Sequence, residues 1–162
     1  MSVYPDTKTG AALNRGRSRQ DYGTPRELLD AVRTLFGPLA FDLAASPDNA
    51  VSSRYFTAAD DALAHKWAAI TCRPGEYLWL NPPFAHIEPW VKKCVAESAR
   101  VLLLVPASVG ADWWRDYVHQ RGRVSFLNGR VKFVGATDYY PRDCALVSYA
   151  DTPRYDVWSW RS

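Results

Sequence analysis

Apolar residues recur in this chain with two different spacings, and the spacing changes along its length. From Arg26 to Phe36 the period is helical: Leu28, Leu29, Val32, Leu35 and Phe36 form one stripe between polar positions. Thr24 and Glu27 stand before it as a capping box with Pro25 at the first helical position, and Gly37-Pro38 stops it. Leu39 to Ser46 is expected to be a strand carrying Asp42 and then small residues, and Arg54 to Thr57 a short one. Asp60-Asp61 is expected to cap a helix bearing Leu63, His65 and Trp67. Tyr77-Leu78-Trp79-Leu80 and Val101-Leu102-Leu103-Leu104-Val105 are unbroken apolar runs, as strands covered on both faces require. Between them Pro89 starts a helix whose buried face is Trp90, Val91, Cys94, Val95 and Ala99. Two strands joined by a helix make a βαβ unit, so the sheet is expected to be at least partly parallel. Trp113, Trp114 and Tyr117 predict a third helix. The period then falls to two: Val124–Leu127, Val131–Val134 and Ala145–Tyr149 read as strands, with Asn128-Gly129 as a hairpin turn between the first two.

Composition narrows the class. A chain of 162 residues is one domain with room for a proper core. Its first 20 or so residues are polar and basic (Lys8, Arg15, Arg17, Arg19) and aperiodic, so a flexible arm is expected there and a single domain over 21–162. No apolar run approaches membrane length, and Met1-Ser2-Val3-Tyr4-Pro5 opens no signal peptide; a cytoplasmic location is expected. Three cysteines without CxxC spacing argue against a disulfide framework, and no metal site is expected. A net charge of +3 permits a nucleic-acid partner without requiring one.

The chemistry concentrates at Asn81-Pro82-Pro83-Phe84, between a buried strand and a helix. With Pro at ~5% of residues, Asn-Pro-Pro-aromatic arises by chance in on the order of one chain this long per thousand. A strand–turn–helix places these residues at the carboxyl edge of the sheet, where open α/β folds bind ligands. Pro83 keeps residue 82 out of the helical region, so the Pro82 carbonyl is presented beside that of the Asn81 side chain. Two acceptors beside the ring of Phe84 suit a planar base with an exocyclic NH2. The lone pair of such an amine is delocalised into its ring; holding both N–H bonds toward acceptors favours a pyramidal nitrogen able to attack a methyl sulfonium.

Two readings stand for each remaining candidate. Thr24 and Pro25 are fully explained as a helix start, or the free N–H groups of the helix they start receive a carboxylate such as that of a methionine moiety. Asp42 either caps the turn at Pro47-Asp48-Asn49 or, ending a buried strand, meets an ammonium or ribose hydroxyl of a ligand that approaches over small residues. Asp60 and Asp61 either cap a helix or bond the adenine amine of a cofactor. Arg130 and Lys132 alternate with apolar residues and Arg142 follows, forming either a solvated face or one that contacts phosphates.

Taken in order, Tyr22-Gly23-Thr24-Pro25, Phe41-Asp42-Leu43-Ala44-Ala45-Ser46, Asp60-Asp61-Ala62-Leu63 with Trp67, Asn81-Pro82-Pro83-Phe84, Leu104-Val105-Pro106-Ala107-Ser108 and Asn128-Gly129-Arg130 before Phe133 resemble the phage-type DNA adenine-N6 methyltransferase (Dam-like) family, over roughly residues 20–150. The resemblance implies an abbreviated Rossmann-like class I methyltransferase fold, mostly parallel with an antiparallel C-terminal hairpin. It implies S-adenosylmethionine as cofactor, held by Tyr22, Thr24, Pro25, Asp42, Ala44 and Asp60 or Asp61. Catalysis is implied at Asn81, Pro82, Pro83 and Phe84. The implied substrate is an adenine of double-stranded DNA in a bacterial host cell. A duplex hides the amino group, so the base must be flipped out. The cofactor scaffold uses up most of the chain and leaves Arg130, Lys132, Arg142 and the basic arm to contact phosphates, so low sequence specificity is expected. Two departures stand out: Ala44-Ala45-Ser46 replaces a glycine-rich turn, and the stretch from Asp42 to Asp60 is too short for two helices and two strands. The alternatives are a methyltransferase of RNA adenine or of a protein glutamine amide, and a non-catalytic single-stranded nucleic-acid-binding module on the same scaffold.

Overall fold

A computed structural model describes residues 23–161. Tyr22 and the basic residues of the first twenty lie outside them. One six-stranded sheet, in the order β1-β2-β3-β5-β4-β6, organises the chain. Its strands are β1 (Leu39–Asp42), β2 (Tyr77–Leu80), β3 (Val101–Pro106), β4 (Arg123–Leu127), β5 (Cys144–Ser148) and β6 (Arg154–Trp158). β1, β2 and β3 are mutually parallel, β5 is antiparallel to both β3 and β4, and β6 is parallel to β4. Only β5 therefore runs against the rest.

Helices α1 (Arg26–Leu35), α2 (Glu88–Ala96) and α3 (Asp112–Tyr117) complete the regular structure of the described residues, with three single 3-10 turns between β1 and β2. Alternation along the strands divides the core in two. Leu78, Leu80, Leu103, Val105 and Val147 pack with Trp67, Trp90, Val91 and Trp114 on the α2–α3 side. Tyr77, Trp79, Leu102, Leu104 and Leu146 pack with Leu28, Val32, Val131 and Phe133 on the α1 side. β2 and β3 are buried on both faces, which is why they read as unbroken apolar runs.

Several expectations are corrected. The strand from Leu39 ends at Asp42 rather than Ser46, because the Asp42 carboxylate accepts the Ala44 amide (3.1 Å) and turns the chain. The strand at Arg54–Thr57 reduces to a single parallel bridge between Asp42 and Tyr55. No continuous helix follows Asp60: Asp61 sits at φ +50, which breaks the stretch into separate turns. The hairpin at Asn128-Gly129 does not form. Both edges of β4 are already taken by β5 and β6, and Asn128 donates its amide to the Trp158 carbonyl (2.9 Å). Gly129, at φ +111, turns the chain away instead, and a Cβ there would lie 2.9 Å from the Arg161 guanidinium. Residues 131–134 keep their period of two, with Val131 and Phe133 buried, but they pack across the α1 face rather than joining the sheet. β6 was not foreseen.

The topology places the site. The carboxyl ends of β1, β2, β3 and β4 share one edge of the sheet, where open α/β folds bind ligands. Since β5 is reversed, the segment 128–143 both leaves β4 and enters β5 at that edge. A 16-residue connection (128 to 143) is long for a loop without regular structure of its own, and such loops tend to be functional.

Candidate active site

Asn81 follows the last residue of β2 and is half-buried. Its side-chain Nδ2 donates to the Thr24 hydroxyl at 3.2 Å. Thr24 is free to accept because it does not cap α1. The N-cap is Pro25, whose carbonyl takes the Leu29 amide (3.1 Å), while the Glu27 carboxylate lies 3.6 Å from Arg161 instead of closing a box. The expected capping box is thus absent, and the buried Thr24 hydroxyl serves the Asn81 amide. With Nδ2 so engaged, Oδ1 remains as an acceptor. Pro83 gives its carbonyl to His86 (3.2 Å); no hydrogen bond among the described residues uses that of Pro82.

Phe84 forms one wall of a chamber of about 410 Å³. The Phe84 ring meets Tyr140 edge-on at 5.4 Å and Phe133 at 5.9 Å, and those two cross at 6.0 Å. Such edge-to-face contacts fix ring orientation as well as contributing burial. The opposite wall is the loop from Ala136 to Pro141, with Thr137 and Asp138 as polar members. The loop is braced by Ala136 N–H to Phe133 carbonyl (3.0 Å) and Tyr140 N–H to Val131 carbonyl (2.8 Å). Val134 donates to the Gly23 carbonyl (2.9 Å), tying this segment to the approach to Thr24.

A second, narrow recess of about 10 Å³ lies on the other side of Asn81, lined by Gly23, Thr24, Asp42, Ala44 and Trp79 among others. Asn81 is the residue that lines both spaces. The Asp42 carboxylate, 3% exposed, accepts Ala44 N–H on one oxygen and Val51 N–H on the other, each at 3.1 Å. Burial nevertheless dominates and pushes its pKa from 3.8 to about 6, against the lowering effect of the two amides. Because the folded state holds that proton more tightly than the unfolded chain, this group favours folding below pH 3.8 and loses that contribution as pH rises through about 6. Ionised Asp42 therefore costs about 3 kcal/mol at neutral pH. Urea unfolding near pH 4 and near pH 8 is expected to show Asp42→Asn losing less stability with rising pH than the parent, by up to that amount. Equal pH dependence in the two proteins would exclude a buried, weakly acidic Asp42.

The remaining expected positions divide. Pro82, Phe84, Thr24 and Ala44 come together around Asn81. Asp60 and Asp61 line neither space. The Asp60 carboxylate is engaged by the Thr57 amide (2.7 Å) and hydroxyl (2.9 Å), and these bonds lower its pKa. Arg130 and Arg142 line an open groove next to the chamber, whereas the exposed Lys132 does not. Sequence reasoning missed Tyr140 and Phe133 as chamber walls; the length of the 128–143 connection, once the hairpin is discarded, is the signal that points to them. Among the described residues no cluster of metal-ligating side chains occurs, and no helix is long and apolar enough to cross a membrane.

The chain is 26% identical over 116 residues to the DNA N-6-adenine-methyltransferase of Escherichia phage T1, an alignment covering 70% of this chain. That alignment spans only 44% of the phage protein's own length. It is 39% identical over 67 residues to "Putative methyltransferase YfdM" of Escherichia coli (strain K12), covering 41% of this chain and 69% of that one. Residues 13–146 match the family described as DNA N-6-adenine-methyltransferase (Dam), a stretch that takes in Thr24, Asp42, Asn81 and the whole chamber wall: the chain belongs to that family.

Proposed function

We propose that this chain transfers a methyl group from S-adenosylmethionine to the exocyclic N6 amino group of an adenine flipped out of DNA. The observation that carries the reading is the position of Asn81 between chamber and recess, with its amide oriented by Thr24. Asn81 Oδ1 and the Pro82 carbonyl accept the two N–H bonds of the amine and hold its lone pair outward. Phe84 stacks on the base, which a duplex otherwise hides. S-adenosylmethionine, when bound, supplies an electrophilic methyl on a sulfonium that leaves as a neutral thioether.

The recess offers such a cofactor a polar lining; at about 10 Å³ it holds no more than a water, so the bulk of the cofactor lies outside it. Gly23 packs against Asn49, where an added Cβ would lie at 3.3 Å, and Ala44 keeps a small side chain in the lining. Thr24, Pro25, Asp42 and Ala44 would hold its amino-acid and ribose parts, joined by Tyr22. Asp61 is favoured over Asp60 for the adenine of the cofactor, because one oxygen of the Asp60 carboxylate, Oδ2, already takes both the Thr57 amide and the Thr57 hydroxyl. Asn81 cannot serve as a base; the proton of the attacking nitrogen becomes acidic as the methyl arrives and passes to water. Catalysis here is positioning and fixed dipoles.

The enzyme is also proposed to read DNA loosely. The sheet, its helices and the chamber wall use most of the described residues, and among these no large element is left to enter the major groove, where neighbouring bases are distinguishable. Labelled methyl transfer to DNA, RNA and protein, run side by side, is expected to mark DNA adenine, in a short and degenerate context on sequencing. Transfer to RNA or to protein glutamine alone would overturn the substrate; a map confined to one fixed site of four or more bases would overturn the loose reading and point to Ala136–Asp143 as the reader.

A further inference from the structure

The loop that walls the chamber has a second side. Beyond Pro141 its last residues, Arg142 and Asp143, face Arg130 and the turn Ala107–Ala111 after β3 across an open groove of about 650 Å³. The two walls are tied together: the Ala107 amide donates to the Asp143 carbonyl (2.8 Å), and Pro106 pairs with Cys144 in the sheet. Pro141 lines both groove and chamber, so the two spaces adjoin there.

We propose that this groove seats the phosphates flanking the flipped nucleotide, held by Arg130 and Arg142. The inference rests on the reading of the chain as a DNA-acting enzyme and assigns the DNA backbone a place in it. A strand lying in the groove delivers its next base over Pro141 into the chamber, so one loop orients base and backbone together. Guanidinium groups suit phosphate oxygens through paired N–H donors. Asp143 is the one carboxylate lining the groove. It pairs with Arg130 at 3.7 Å, and both side chains are more than half exposed (56% and 75%), so solvent screens the pair and a phosphate displaces the carboxylate from Arg130. Gly110 opens the far rim, where an added Cβ would meet nothing within 4 Å. Lys132, although exposed and basic, stands outside the groove, and this separates the proposal from a diffuse basic face.

The test uses the full chain with duplex oligonucleotides that carry a single neutral methylphosphonate on either side of the target adenine. Arg130→Ala and Arg142→Ala are each expected to lower the slope of log affinity against log salt by about 1, and Lys132→Ala to leave it unchanged. Asp143→Asn is expected to tighten binding severalfold, since a carboxylate opposes phosphate. A methylphosphonate at the contacted position should weaken the parent about tenfold yet add little to the matching arginine variant. Equal loss in parent and variants, or Lys132→Ala behaving as the arginine variants do, would overturn the groove while leaving methyl transfer intact. A parent that modifies RNA or protein and never DNA would overturn the functional reading and this assignment with it.

Discussion

Asn81→Ala is expected to reduce methyl transfer on the order of a thousandfold, the cost typical of deleting a positioned group at a developing charge, while S-adenosylmethionine still binds in calorimetry. The separation follows from geometry. Asn81 lies between the two spaces, but its Nδ2 is committed to Thr24 and its Oδ1 is the atom left for the amine. Losing it removes one of two acceptors that hold the nitrogen pyramidal, an interaction that strengthens only as positive charge develops on the attacking nitrogen. Stability should change little, since the residue is half-buried and one neutral hydrogen bond is worth about 1 kcal/mol. The loss should therefore appear in kcat more than in KM. Full activity in a folded Asn81→Ala protein would falsify the catalytic assignment, and a loss of cofactor binding equal to the loss of rate would move Asn81 to the binding surface.

The parts of the fold that were legible are those where one physical demand dominated. β2 and β3 are buried on both faces and so are spelled as continuous apolar runs, and the prolines at 82, 83 and 89 mark where strand gives way to turn and helix. The Asn81 turn could be placed at a sheet edge from these signals alone. β6 was missed because it is a half-exposed edge strand: Arg154, Tyr155 and Val157 are exposed, so no apolar pattern announces it. Asn128-Gly129 misled for a different reason. Gly129 does take the positive φ that an Asn-Gly turn supplies, but hairpin pairing also needs a free strand edge, and β5 and β6 had occupied both. Local chemistry specified the turn while long-range pairing decided its use. Thr24 shows the same competition in the candidate site. Its spacing from Glu27 is that of a capping box, yet the hydroxyl is drawn to Asn81, 57 positions away, and Pro25 caps the helix instead.

Phe84→Ala is expected to lower kcat/KM about ten- to a hundredfold, matching a base–aromatic stacking contribution of ~1–3 kcal/mol. Phe84→Tyr is expected to cost little. The ring is held by edge contacts to Phe133 and Tyr140, which leaves its orientation fixed without either neighbour covering it face-on. It is only half-buried, so the alanine variant forfeits less packing than a core phenylalanine would. Two substrates separate stacking from help in extruding the base. With a single-stranded oligonucleotide, or a duplex whose target adenine faces an abasic site, opening the pair costs little and an extrusion defect should largely disappear. A stacking defect should persist, because the base still has to be held against Asn81 while the methyl moves. Phe133→Ala and Tyr140→Ala serve as controls: if they act by letting the Phe84 ring turn, each should give a smaller loss of the same kind, and combining either with Phe84→Ala should add little. Tyrosine and alanine at position 84 proving equally poor would show that the ring does not stack on the base.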